Sequence, residues 1–217
     1  GDETITLFDS SDQTQACGQF EFLRQQIDQR DGVQRSLADF IAPGQAPCDY
    51  LGCFAVAVHG IDPLADHQVA EGDDYEAILI KAVGDRLAEA LAEWLHQKVR
   101  RETWAYAPEE SLSNAALIKE QYQGIRPAPG YPACPDHLDK KQIWTLLDAE
   151  NTVEATLTET LAMQPASAVS GYYFAHPESR YLGVGLIADD QIQSLARRRG
   201  IPLESMKRWL SANLLDA

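Results

Sequence analysis

A chain of 217 residues that is 45% hydrophobic and 24% charged suits one folded domain, or one and a half, with a proper core, and excludes a disordered segment. Its formal charge of −15 excludes the basic stripe that nucleic acid requires and disfavours docking on anionic lipid. With no apolar run of membrane-spanning length and no signal-peptide pattern, the chain reads as soluble and cytoplasmic.

In chain order, Gly1 opens without methionine inside an acidic turn, like a piece cut from something longer. Thr4-Ile5-Thr6-Leu7-Phe8 alternates and is β-branched, which predicts a short strand. Asp9 to Asp12 turns the chain, and Phe20 to Leu23 supplies a pairing strand; Gln25 to Gln34 is polar and gives little signal. Ala42 to Pro47 is a loop by composition. Tyr50 to Val58 is almost continuously apolar, as in a buried central strand, and Asp62 to Glu71 is a short helix or irregular.

Asp73 to Arg101 carries the strongest periodicity. Asp73 or Asp74 caps a helix whose Ile80, Val83, Leu87, Leu91, Trp94 and Leu95 trace one apolar face, with Lys98, Arg100 and Arg101 in its last turns. Further helices are predicted from Ser113 to Tyr122 and from Lys140 to Ala149. Ala155 to Met163, Gly171 to His176 and Tyr181 to Ile187 read as strands, the last two joined by a tight antiparallel turn over His176 to Arg180. Asp189 to Arg199 and Pro202 to Leu210 close the chain as helices, with Pro202 at a first helical position. Strands and helices are segregated, which predicts an α+β fold: an antiparallel twisted sheet with flanking helices.

Between the second and third of those helices lies Gly124 to His137, with four prolines and two glycines in fourteen residues. Proline fixes φ and lacks a donor, so the segment is predicted to be a stiff, extended loop hinged at Gly130. Such a loop loses little entropy on closing over a ligand. Arg126 suits two-pronged contact with a carboxylate; the competing reading is a rigid surface connection in which Arg126 pairs a structural acid. Tyr131 is either an aromatic wall or a packed core tyrosine.

Other chemistry is sparse. Asp85, Glu89, Glu93 and His96 share a stripe of the long helix, most simply as a solvated acidic face. Glu93 and His96 make a Glu-x-x-His step of the di-iron type, but a second step is missing. Cys17, Cys48, Cys53 and Cys134 are irregularly spaced and read as free thiols rather than a zinc site. Gly183 and Gly185 leave room for close approach without forming a dinucleotide fingerprint. There is no catalytic triad, P-loop or metal cluster; the chain reads as a ligand-holding module.

Arg126-Pro-Ala-Pro-Gly-Tyr-Pro-Ala-Cys-Pro-Asp-His137 resembles the S-adenosylmethionine-binding loop in the C-terminal activation domain of cobalamin-dependent methionine synthase. The resemblance continues in Asp49 to Val56, Asp85 to Ala90, Glu110 to Asn114 and Val169 to Phe174, and covers most of the chain from about Ile5. It implies that residues 1–217 are an activation domain truncated at its N-terminus, lacking an upstream aspartate that contacts the ligand. Arg126 would hold the ligand carboxylate, Ala128 and Gly130 would contact the adenosine portion through backbone, and Tyr131 and Tyr181 would flank it. Leu182 would contribute backbone, Glu89 would sit near the ligand ammonium, and Asp85 would face the cobalamin side.

The implied function is presentation of S-adenosylmethionine for reductive methylation of cob(II)alamin, which is held by a separate domain. The electron would come from a flavodoxin-type partner, for which Lys98, Arg100 and Arg101 are the candidate docking cations. The resemblance implies that the fragment is part of a methyltransferase, 5-methyltetrahydrofolate–homocysteine methyltransferase, with no catalytic residue of its own, and that it would not turn over alone. The alternative is a stand-alone S-adenosylmethionine sensor or interaction module without redox chemistry; a metalloprotein on Glu89, Glu93 and His96 is a weaker third.

Overall fold

Alternation in Thr4–Phe8 (β1) and Ala16–Glu21 (β2) gives an antiparallel pair in which Ile5 lies opposite Phe20, both buried. The second strand begins four residues earlier than its apolar run. The computed structural model describes residues 3–9, 14–44 and 48–215, so the expected turn over 9–12 and loop over 42–47 lie partly outside the described residues.

The chain divides into two compact units. The first comprises Gly1–Gly52, Gly124–Gln142 and Phe174–Ala217, and the second Cys53–Gln123 and Ile143–Tyr173. In the first unit, α6 (Asp189–Arg199) and α7 (Leu203–Trp209) pack Ile192, Leu195, Ala196 and Met206 with Leu23, Val184 and Ile187 into one core. Phe174 meets Phe22 and Phe40 edge-on, with ring centroids 6.1 and 6.4 Å apart. Acidic Asp189 and Asp190 begin α6 and Arg197, Arg198 and Arg199 end it, which suits the helix dipole. Pro202 stands one position before α7, as its N-cap, rather than inside its first turn.

In the second unit, β3 (Gly52–Ala57) pairs with β6 (Ala168–Tyr173). The apolar run that predicts a fully buried central strand is instead alternately buried: Phe54 and Val56 enter the core with Tyr173, while their neighbours are half-buried. Ile61–Ala70 forms α1, and Asp73 caps α2 (Asp74–Lys98) by accepting the Glu76 N–H at 2.9 Å. A π-helical turn over Val99–Thr103 continues it.

The inner face of α2 differs from the expected one. Ala77, Gly84, Ala88, Ala92 and His96 are buried, Leu91 and Leu95 are half-buried against the core, and Val83, Leu87 and Trp94 are exposed. Small residues win because neighbouring chain comes very close. A Cβ on Gly84 would fall 2.5 Å from Ser167 Oγ and 2.8 Å from Ile61 side-chain carbons.

Shorter elements follow the turns rather than the apolar runs. α3 (Asn114–Ile118), capped by Ser113, stops four residues before the expected end. The helix expected over residues 140–149 divides into α4 (Lys140–Leu147) and α5 (Ala149–Thr152) at Asp148, whose φ is 49°. The strand expected over residues 155–163 reduces to an antiparallel hairpin of β4 (Thr156–Leu157) and β5 (Met163–Gln164). The α+β class holds, with the strands distributed over three two-stranded sheets among the described residues.

Residues 181–186 form no regular strand. The turn at His176 is present, with the Ser179 N–H donating to the His176 carbonyl at 3.0 Å, but the segment it leads into bonds elsewhere. The Val184 N–H donates to the Pro132 carbonyl at 2.9 Å and the Val184 carbonyl accepts the Gln26 N–H at 3.1 Å. Single bonds to two different segments anchor the chain without building a ladder.

Candidate functional site

The proline loop is anchored at its start and folded back at its centre. Ile125 and Phe174 exchange both backbone hydrogen bonds at 3.0 Å, which joins the loop's first residues to the chain after β6. Beyond Pro127 the expected extended run gives way to two linked turns. The Tyr131 N–H donates to the Ala128 carbonyl at 3.2 Å, and the Cys134 N–H to the Tyr131 carbonyl at 2.9 Å. The Gly130 N–H closes the fold on the Cys134 carbonyl at 2.8 Å. Gly130 has φ +97°, a conformation L side chains rarely adopt.

Beneath this fold Cys134 is buried, and its Sγ donates to the Ala128 carbonyl at 3.0 Å. Burial pushes the Cys134 thiol pKa well up, and the charges of Asp139 and Asp136 push the same way. Asp136 and Asp139 are themselves buried and share Arg199, whose Nη2 lies 3.0 Å from Asp136 Oδ2 and Nη1 2.5 Å from Asp139 Oδ1. Arg199 also donates to the Glu21 carbonyl at 3.0 Å. The C-terminal end of α6 therefore clasps the loop from below, and the loop's shape is built into the fold before any ligand arrives.

The upper surface carries the predicted residues. The Arg126 N–H donates to Tyr181 Oη at 3.1 Å, which brings two segments 55 residues apart in sequence together. Arg126 and Ala128 are half-buried and Gly130 is exposed. Tyr131 is 63% exposed, so it is not the packed core tyrosine that was one of its two readings. Tyr181 is 41% exposed, whereas Leu182 is half-buried and packs against the α6–α7 core.

A cleft of about 500 Å³ adjoins Tyr181 and Leu182, lined also by Ile27, Arg30, Arg35 and Arg180. Arg35 is tied to Asp31 at 2.6 Å, and the same ion pair holds the exposed Asp31 carboxyl down at a pKa of about 2. This cleft went unread in the sequence because its wall, residues 25–35, is polar and nearly without regular structure. Its lining residues are mostly polar, and of the predicted site residues only Tyr181 and Leu182 border it.

The remaining candidates lie in the second unit. Glu89 is exposed on α2 and ion-paired with Arg86 at 2.8 Å. Asp85 accepts a hydrogen bond from Ser167 Oγ at 3.1 Å. Arg100, expected as a docking cation, is fully buried: Nε and Nη2 grip Glu110 at 2.6 and 2.8 Å, and its guanidinium lies 4.0 Å from the centre of the Tyr122 ring. The π-turn and the Glu110 segment account for this, since they wrap chain over a position that a straight helix would expose. Lys98, above Trp94 at 5.4 Å, and Arg101 are the exposed cations there.

His96 is fully buried and stacks on Tyr173 with centroids 5.0 Å apart, its Nε2 lying 3.2 Å from Tyr106 Oη. His96 is thus engaged within the core, and among the described residues no group of three or more His, Cys, Asp or Glu could hold a metal ion. No helix among the described residues is long and apolar enough to cross a membrane.

The model of a family described as vitamin B12 dependent methionine synthase, activation domain, matches residues 1–200. Among solved structures, the chain is similar to one described as "Crystal Structure of the MetH Reactivation Domain bound to AdoHcy". The two share 46% sequence identity at a TM-score of 0.95, covering 99% of this chain and 67% of that one.

Proposed function

The chain belongs to the activation-domain family of vitamin B12-dependent methionine synthase, and from that premise we propose that it binds S-adenosylmethionine on the proline loop and presents it to cobalamin. The related reactivation domain is described as bound to AdoHcy, the demethylated form of that ligand. Membership in a methionine synthase family disfavours a free-standing sensor. Arg126 holds the ligand carboxylate, Ala128 and Gly130 meet it through backbone, and Tyr131 and Tyr181 flank it, with Leu182 contributing backbone. The observation that carries this reading is the Arg126–Tyr181 hydrogen bond, which joins the proline loop to the segment bordering the cleft.

The resemblance also assigns Glu89 to the ligand ammonium, an assignment carried by sequence alone and tested by Glu89→Gln.

S-adenosylmethionine supplies a methyl group on a positively charged sulfur, and its thioether product leaves without needing a proton. The protein's contribution is positional: a rigid loop holds the ligand's amino-acid and nucleoside ends so that the methyl can be aimed when a cobalamin domain docks. The partners are that domain of the same enzyme and a flavodoxin-type electron donor, for which Lys98 and Arg101 are the docking cations once Arg100 is set aside as buried.

Calorimetric titration of S-adenosylmethionine into the chain tests the proposal. Saturable binding at one site is the expected result, and an absence of heat at millimolar ligand would overturn it.

A further inference from the structure

We propose that His137 is a positioning residue of the ligand loop, its imidazole packed against Gly130 so as to set the shape that receives the ligand. This rests on the reading that the loop binds S-adenosylmethionine.

Three observations carry it. First, the imidazole occupies the space that a side chain at residue 130 would need. An added Cβ would fall 2.1 Å from His137 Cε1, 2.7 Å from Nδ1 and 2.9 Å from Nε2. The ring and the bare glycine are therefore complementary. Second, the Pro129 carbonyl interacts with the imidazole. Its Nδ1 is buried with no hydrogen-bond partner, a setting that suits a ring nitrogen without a proton. Third, the backbone on both sides of His137 is fixed, because Arg199 clasps Asp136 and Asp139, the residues one before and two after it. The imidazole thus has a defined origin from which to support the loop above.

A second proton on the ring would place an N–H at Nδ1, where no acceptor stands. The charged groups acting on the ring are Lys140, which opposes that proton, and Asp136, which favours it. Burial is the larger influence and lowers the His137 pKa below its ordinary value of 6.5. A lowered histidine pKa means that the neutral, loop-supporting form persists through neutral pH and is lost as pH falls through the folded value. Ligand affinity follows the same course.

The test is calorimetric titration of S-adenosylmethionine into the wild-type chain, His137→Ala and His137→Gln, from about pH 7.5 down to about pH 5. Wild-type affinity holds near neutrality and declines at the acid end by about threefold or more, as expected for a linked proton. At pH 7.5 His137→Ala binds about tenfold more weakly, the scale of one lost polar contact beneath the loop. His137→Gln keeps a neutral N–H donor; it restores affinity to within about threefold and abolishes the acid decline. Wild-type affinity in His137→Ala, or an unchanged acid decline in His137→Gln, would overturn the inference while leaving the ligand assignment standing. Failure of the wild-type chain to bind at pH 7.5 would overturn both readings. Should His137→Ala not fold, the wild-type profile and His137→Gln decide the matter.

Discussion

Replacing Gly130 by alanine tests whether the proline loop is held in one shape. Two penalties add. A non-glycine residue at φ +97° stores about 1–3 kcal/mol of backbone strain. The new methyl also meets the His137 ring at 2.1 Å, and overpacking of that kind costs about 1–3 kcal/mol. The expected total is about 2–6 kcal/mol, which at roughly 2–4 °C per kcal/mol lowers the melting temperature by at least about 4 °C. Gly200→Ala is the matched control. That glycine ends α6 at φ +66° with nothing within 4 Å of an added Cβ, so alanine there costs only the left-handed strain of about 1–2 kcal/mol. Circular dichroism melts of wild type and both variants provide the comparison. Gly130→Ala melting with or above Gly200→Ala would refute the packing of His137 against the loop.

Further tests address the supports of each unit. Glu110→Ala leaves the Arg100 guanidinium buried without its carboxylate and should destabilise the second unit by about 3–5 kcal/mol, read from urea denaturation. Tyr181→Phe removes the acceptor of the Arg126 N–H and should cost about 1 kcal/mol of stability, in the same assay. In native protein at mildly alkaline pH, iodoacetamide should label exposed Cys17 and Cys48 and spare Cys134, whose thiol pKa is raised. Mass spectrometry of native and urea-unfolded samples checks this, and early labelling of Cys134 would contradict its burial.

Much of this molecule is legible in local sequence because some signals are local. Asp73 caps α2, and the run from Asp189 and Asp190 to Arg197–Arg199 marks both ends of α6. The proline loop stands out by composition alone. The inner face of α2 does not, because the eye follows Val83, Leu87 and Trp94 whereas close packing selects Ala77, Gly84, Ala88 and Ala92. The stretch from Tyr181 looks like a strand, yet Val184 bonds to Pro132 and Gln26, partners that no periodicity names. Arg100 has the composition of a surface cation and becomes a buried one only when Glu110 folds over it. Within the candidate site, Arg126, Gly130 and Tyr181 are readable from the loop and its resemblance. Their supports are not: Arg199 reaches Asp136 across 63 residues, and His137 is visible only as the last letter of a motif.

The proposed function places S-adenosylmethionine on the proline loop, held through Arg126. Its most direct measurement is calorimetric titration of that ligand into wild type and Arg126→Ala side by side. Wild type should bind saturably, and the substitution should weaken binding by about 1.5–3 kcal/mol, the scale of a charge-assisted hydrogen bond. Equal affinity in the two proteins would contradict it, by placing the ligand carboxylate elsewhere.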